Sequence, residues 1–173
     1  MKTEVRPLSS DELEKVVDYF LNFTLEEDLL VGADRKNYPS REQWVKLLLE
    51  DAKQPLRKRR FFYLGWFLDG KLIGHCNINN IAFGEEAYIY LHLWDRTLRR
   101  QGLATCFLMK AVHFYFKYFT LHKIISEPKS DNIGSKKTLQ KCGFSFLNTH
   151  VTKPDMLSIE HEVSHYELLK ANL

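Results

Sequence analysis

Apolar residues in the first fifty positions recur at intervals of three and four. After a short extended segment at Glu4 to Pro7, the residues Leu13, Val16, Val17 and Phe20 fall on one helix face. Ser9 or Ser10 serves as its cap, with Asp11 and Glu12 in the first turn. Ser40, Glu42, Trp44, Leu47 and Leu48 announce a second helix in the same way. The middle of the chain then changes period. Phe61 to Leu68 and Lys71 to Ile78 flank Asp69-Gly70, the pattern of two strands joined by a tight turn. Ala87 to Trp94 alternates, with Ile89, Leu91 and Leu93 on one face and Tyr88, Tyr90, His92 and Trp94 on the other. From Gly102 the helical period returns through Leu103, Phe107, Ala111, Phe114 and Tyr118. A strand from Lys123 to Glu127 follows, then a helix from about Asn132 that stops at Gly143, where a left-handed residue suits a helix end. Phe144 to Val151 and Leu157 to Leu169 read as a closing strand pair. The order β-α-α-β-β-β-α-β-α-β-β predicts a mixed α/β domain.

Composition narrows the class. The chain has 173 residues, the size of one domain spanning 1–173. Hydrophobic residues at 45% and charged residues at 27% exclude disordered, collagenous and coiled-coil chains. Lys+Arg 25 against Asp+Glu 22 leaves +3, too small an excess to demand nucleic acid, though it suits a small anionic ligand. The basic run Arg57-Lys58-Arg59-Arg60 reads as a solvated loop or rim rather than a dedicated nucleic-acid site. The cysteines Cys76, Cys106 and Cys142 form no close pair, which predicts a reducing, cytoplasmic setting. The start lacks the apolar core of a signal peptide. The longest apolar run, Phe61 to Leu68, has eight residues, far short of the roughly 20 of a membrane helix. A soluble protein with no membrane partner is expected. Phe114, Tyr115, Phe116, Tyr118 and Phe119 crowd one helix end as core with some dimer surface, so a monomer or homodimer is expected.

The chemistry lies between Leu93 and Thr105. A strand runs into a loop carrying Arg96, Arg99 and Arg100, then into a helix that opens with Gly102 and Ala104. The first turn of a helix has unpaired N–H groups and the positive end of the macrodipole. Small residues let a phosphate approach that backbone, and arginines supply charge. The pattern describes a diphosphate cradle; an ordinary helix start beside solvated arginines is the plainer alternative.

Arg99-Arg100-Gln101-Gly102-Leu103-Ala104 resembles the Q/R-x-x-G-x-G/A signature of the GNAT N-acetyltransferase superfamily. Asn132, followed by Leu139-Gln140-Lys141-Cys142-Gly143-Phe144, is similar to the family's second motif. The resemblance covers Glu4 to Leu169 and is closest to the RimJ/RimL-type branch, which acetylates ribosomal-protein N-termini. It implies a mixed, mostly antiparallel sheet of six to seven strands, about four flanking helices and splayed central strands. It also implies acetyl-CoA as acetyl donor, no metal, and direct transfer to a primary amine in a ternary complex. The backbone of Gln101, Gly102, Leu103, Ala104 and Thr105 would hold the pyrophosphate, flanked by Arg99 and Arg100. Pantetheine would lie between the splayed strands near His92 and Trp94, with Asn132 bonding it. Leu139 stands where many members have a proton-donating tyrosine, and Ser135 matches a serine with that role in the ribosomal-protein branch.

Acetyl transfer needs a neutral amine, so a base is useful. Glu127 and His92 are the candidates, with His75 and Asp95 near; His92 also reads as a packed core histidine, and Glu127 as a turn cap. The resemblance favours a protein or peptide α-amine, with small amines, amino sugars or aminoglycosides next. A non-catalytic acetyl-CoA sensor or adaptor of the same fold is the alternative reading. His161-Glu162-Val163-Ser164-His165 spells H-E-x-x-H, which binds zinc only on a helix. On a strand its histidines stand about 13 Å apart, so no metal is expected from it.

Overall fold

The computed structural model describes residues 1–173. Helix α1 (Ser10–Leu21) starts at Ser9 and buries Leu13, Val16, Val17 and Phe20. The Glu12 carboxylate accepts from the Ser9 N–H at 2.9 Å and from both Arg6 guanidinium nitrogens at 2.7 and 2.8 Å. That bidentate pair ties the helix start to β1 (Thr3–Pro7) and holds the Glu12 pKa down at about 2. Helix α3 (Arg41–Ala52) sets Trp44 and Leu48 against the same face of α1.

Strands β2 (Phe62–Leu68) and β3 (Lys71–Ala82) form the hairpin. Its turn places Asp69 at φ +49 and Gly70 at φ +82, the left-handed pair that a two-residue hairpin requires. Then follow β4 (Glu86–Leu93), α4 (Leu103–Tyr118), β5 (Lys123–Ser126), α5 (Ile133–Lys141), β6 (Ser145–Thr152) and β7 (His161–Leu169). The seven strands make one sheet in the order β1-β2-β3-β4-β5-β7-β6. Every neighbouring pair is antiparallel except β4 and β5. The main core includes Trp66 stacked on Phe107 of α4 at 5.4 Å, and Leu139 of α5. No helix is long and apolar enough to cross a membrane.

Three details depart from the pattern reading. There are five α-helices rather than about four, because Leu25–Val31 forms α2. Its Thr24 cap and the left-handed Gly32 at its end define it, while Leu25 and Leu29 stay exposed. The buried stripe of α4 continues through Tyr115 and Phe116, not through Phe114 and Tyr118. Tyr115 donates its hydroxyl to the carbonyls of Phe62 and Cys76 at 3.2 Å, whereas Phe114 and Tyr118 stack on each other at the margin. Residues 153–160 also leave the sheet instead of extending β7. In the basic run, Arg57 lies over Phe83, and Arg59 lies over Phe62 while donating to the carbonyls of Gln54 and Ala52, so both guanidiniums are engaged within the chain.

Candidate active site

The loop before α4 is held by its own side chains. Asp95 accepts from the Thr97 N–H at 2.9 Å, and the Gln101 amide donates to Thr97 O at 3.0 Å, fixing the turn. Arg100 at φ +64 and Gly102 at φ +77 are left-handed, which turns successive N–H groups outward. The amides of Leu103, Ala104 and Thr105 donate to no protein acceptor. A Cβ placed on Gly102 would meet nothing within 4 Å, so the space over this helix start is open. Arg96 is committed to Glu27 of α2 at 3.0 Å, while Arg99 and Arg100 form no ion pair. Exposed backbone donors, open space and two uncommitted guanidiniums fit a diphosphate.

A slot leads from this loop into the sheet. β4 and β5 pair at only three positions, Glu86 with Lys123, Ala87 with Ile124 and Tyr88 with Ile125. Beyond them the Ser126 hydroxyl bonds Ile89 O at 3.1 Å, and the strands then part. The Trp94 N–H is taken by Ile73 O on the β3 side at 2.9 Å. Strand alternation therefore turns the backbone groups of Leu91 and Leu93, not those of His92 and Trp94, toward the slot.

The slot opens into a cavity of about 130 Å³ whose lining includes Trp44, Tyr63, His92, Glu127, Asn132 and Ser135. Its roof is the 153–160 excursion, which is tied down by Asp34 N–H to Leu157 O, Ile159 N–H to Gly32 O and Tyr90 hydroxyl to Pro154 O at 2.9 to 3.1 Å. The balance of charge shifts along it. Arg96, Arg99 and Lys129 outnumber Glu26 and Asp131 around a hollow at the loop end, whereas Glu127 and Asp155 outnumber Lys129 in the cavity.

His92 stacks on His75 at 4.9 Å and faces the edges of Tyr19 and Phe20. Burial, and secondarily the charge of Arg99, pushes its pKa down to about 4. His75 is fully buried and accepts the Trp94 indole N–H at 2.8 Å, so it is a structural histidine behind the cavity wall. Asn132 caps α5 by accepting the Ser135 N–H on its Oδ1 at 3.1 Å; the Ser135 hydroxyl bonds no protein group. Glu127 caps no turn. Its side chain is 7% exposed, with Oε1 2.6 Å from His165 Nδ1 and 3.3 Å from His150 Nε2. Burial works against charging His165, but its hydrogen bonds to Glu127 and Glu167 outweigh that and raise its pKa.

The acetyltransferase (GNAT) domain family matches residues 3–145. The chain belongs to the GNAT acetyltransferase family. No curated protein matches it by sequence. Among solved structures it is similar to a spermidine N-acetyltransferase from Vibrio cholerae in complex with CoA and spermine. That match has a TM-score of 0.78 and 16% identity, covering 98% of this chain and 96% of the other. The aminoglycoside acetyltransferase AAC(6')-Ib with coenzyme A matches with a TM-score of 0.76 and 17% identity, over 99% and 96% of the two chains. RimL, a ribosomal L7/L12 α-N-protein acetyltransferase in complex with coenzyme A, gives 0.76 and 17%, over 98% and 94%. At such identities the likeness is one of fold.

Membership in the GNAT family makes the chain an N-acetyltransferase and acetyl-CoA its acetyl donor. The GNAT fold gathers most residues expected from the sequence. Arg99, Arg100 and Gln101 to Thr105 lie together at the loop and the start of α4; His92, Glu127, Asn132 and Ser135 meet in the cavity. Trp94 does not, since its ring stacks on Tyr19 and its N–H faces β3. Leu139 is fully buried in the core, so the usual tyrosine position is spent on packing. H-E-x-x-H lies on β7, where the ring of His161 packs beside Gly32 and its Nδ1 meets Ile159 O. Sequence reasoning missed His150 and the pairing of His165 with Glu127, contacts between residues far apart in the chain that no local spacing signals.

Proposed function

We propose that this single-domain acetyltransferase, in a reducing cytoplasm, acetylates a primary amine at the end of a slender chain, a protein or peptide N-terminus first. The carrying observation is that the slot between β4 and β5 opens into a cavity with Glu127 at the seam. The cavity is open to solvent on one side, and its volume of about 130 Å³ is below the roughly 300–1,000 Å³ of sites that engulf a whole drug-sized ligand. It suits one extended arm better than a multi-ring amino sugar. Carboxylates at the cavity and guanidiniums at the loop match a cationic acceptor and an anionic donor.

In this reading the amides of Gln101 to Thr105 and the side chains of Arg99 and Arg100 bind the pyrophosphate. The Leu91 and Leu93 backbone and the Asn132 amide orient the pantetheine arm. Glu127 takes the proton of the acceptor ammonium, directly or through water. An α-amine with pKa near 7.7–8.0 asks less of that base than an alkylamine near 10.4. His92, with a pKa of about 4, stays neutral and accepts a hydrogen bond from the amine or a water. The Ser135 hydroxyl, or a water on it, returns a proton to the leaving thiolate.

The test is CoA-thiol release across peptide N-termini, polyamines, amino sugars and aminoglycosides. Peptides should give the highest kcat/KM, and Glu127→Gln should cut turnover by about 10²–10⁴-fold, least at raised pH where the amine deprotonates unaided. Full activity in that variant at neutral pH would remove Glu127 as base. Acetyl-CoA binding without amine-dependent release would leave a binding module.

A further inference from the structure

Glu127 is a buried carboxylate with no lysine or arginine partner; its ion-pair partners are His165 of β7 and His150 of β6. Buried charges are ordinarily paired or hold a metal. The sheet creates this meeting. His165 pairs with Asn148 across the β6–β7 ladder, and His150, two residues on, is its diagonal neighbour on the same face.

The outer nitrogen of each ring is also committed. His165 Nε2 lies 3.2 Å from Glu167 Oε1, and His150 Nδ1 lies 3.1 Å from Asn148 Oδ1. Glu127 and Glu167 both present acceptor oxygens, so in the metal-free protein the His165 ring donates from both of its nitrogens and the proton on Nδ1 is the cation beside Glu127. His165 Nδ1, His150 Nε2 and the Glu127 oxygen lie within 4.8 Å of one another, three ligand atoms for a metal that displaces that proton on binding. A histidine whose far N–H is held by a carboxylate or carbonyl is, moreover, the usual support of a metal ligand.

We propose that Glu127, His150 and His165 form a binding site for a divalent transition metal, zinc first, that inhibits acetyl transfer. Two imidazoles and one carboxylate suit zinc rather than magnesium or calcium, which prefer oxygen ligands. Three protein ligands leave one tetrahedral position for water. Zinc–ligand bonds of about 2.0–2.2 Å put ligand atoms roughly 3.3 Å apart. His150 Nε2 already stands 3.3 Å from Glu127 Oε1, and His165 Nδ1, at 2.6 Å, has only to draw back. His150 is 41% exposed and gives the ion a route from solvent. The transfer itself needs no metal, so the ion acts as a regulator. Bound zinc holds the carboxylate that would take the amine proton; the inhibitory part rests on the assignment of Glu127 as base.

The experiment titrates zinc chloride into tag-free, metal-stripped protein by calorimetry and follows acetylated product by mass spectrometry, because zinc also binds thiols. One zinc per chain is expected, with no heat from magnesium. Glu167→Gln should weaken zinc binding by about 10–100-fold, and His150→Ala with His165→Ala should abolish it. Acetyl transfer should fall with zinc and recover with chelator. His150→Ala, measured against its own metal-free rate, should escape that inhibition. No stoichiometric binding, or binding unchanged in a double variant that melts normally, overturns the site. Zinc that binds there and leaves transfer untouched overturns the inhibition, and the base assignment of Glu127 with it.

Discussion

Replacing Gly102 with glutamate separates the cost to the fold from the cost to the cradle. In the free protein the new Cβ meets nothing within 4 Å, so packing is undisturbed. What remains is backbone strain at φ +77, about 1–2 kcal/mol for a residue with a side chain. A chain of this length loses about 2–4 °C of Tm per kcal/mol, so Gly102→Glu should melt about 2–8 °C lower. Gly102→Ala carries the same strain and serves as the control. With acetyl-CoA the two part. At a hundred times its Kd a ligand adds about 2.7 kcal/mol, which here is about 5–11 °C. The wild type should gain that shift, whereas the glutamate puts bulk and negative charge where the diphosphate meets the backbone and should gain none. Differential scanning calorimetry with and without acetyl-CoA reads both effects. A glutamate variant that keeps the ligand-induced gain would refute the cradle, and a fall beyond about 15 °C would refute the open space over Gly102.

Two further outcomes follow from groups in the cavity wall and behind it. Burial holds the pKa of His92 and His75 below the usual imidazole value, with Arg99 adding to the effect on His92 and His92 to that on His75. The unfolded chain takes up protons below about pH 6.5 while the folded one does not, so stability should fall from there toward pH 4; an unaltered pH slope of the urea midpoint in His92→Asn would contradict this. Asp51, 3% exposed, accepts the N–H groups of Arg60 and Phe61 at 3.0 and 3.1 Å. Asp51→Ala strands two donors at about 1–3 kcal/mol each, so urea unfolding should show a loss of about 2–6 kcal/mol, and a loss under 1 kcal/mol would show those bonds to be dispensable.

The strand–loop–helix arrangement around Gly102 was legible in the sequence because its parts are contiguous. A strand, three arginines and a glycine helix start must fall together whatever the rest of the chain does. The hairpin at Asp69-Gly70 and the α1 face through Phe20 were legible for the same reason, since local period and turn chemistry decide them. Helix α2 was not, because Leu25 and Leu29 face solvent and leave no apolar stripe to read. Nor was the cavity roof, where Leu157 and Ile159 mimic the start of a strand until Asp34 and Gly32 bond their backbone. The histidine pair around Glu127 exists only because β7 threads between β5 and β6, a neighbour relation that linear spacing does not carry.

The three-position seam between β4 and β5 is the shortest ladder in the sheet. Strands β1 to β4 are paired along their lengths, as are β7 and β6, so the backbone groups of Leu91 and Leu93 are left without a strand neighbour in the middle of the sheet rather than at its edge. A donor arm lying there would stand in for the missing strand, taking up main-chain bonds that the protein leaves vacant. Glu127 follows the end of β5 and His92 lies on β4, so the two groups face each other across that gap from opposite banks.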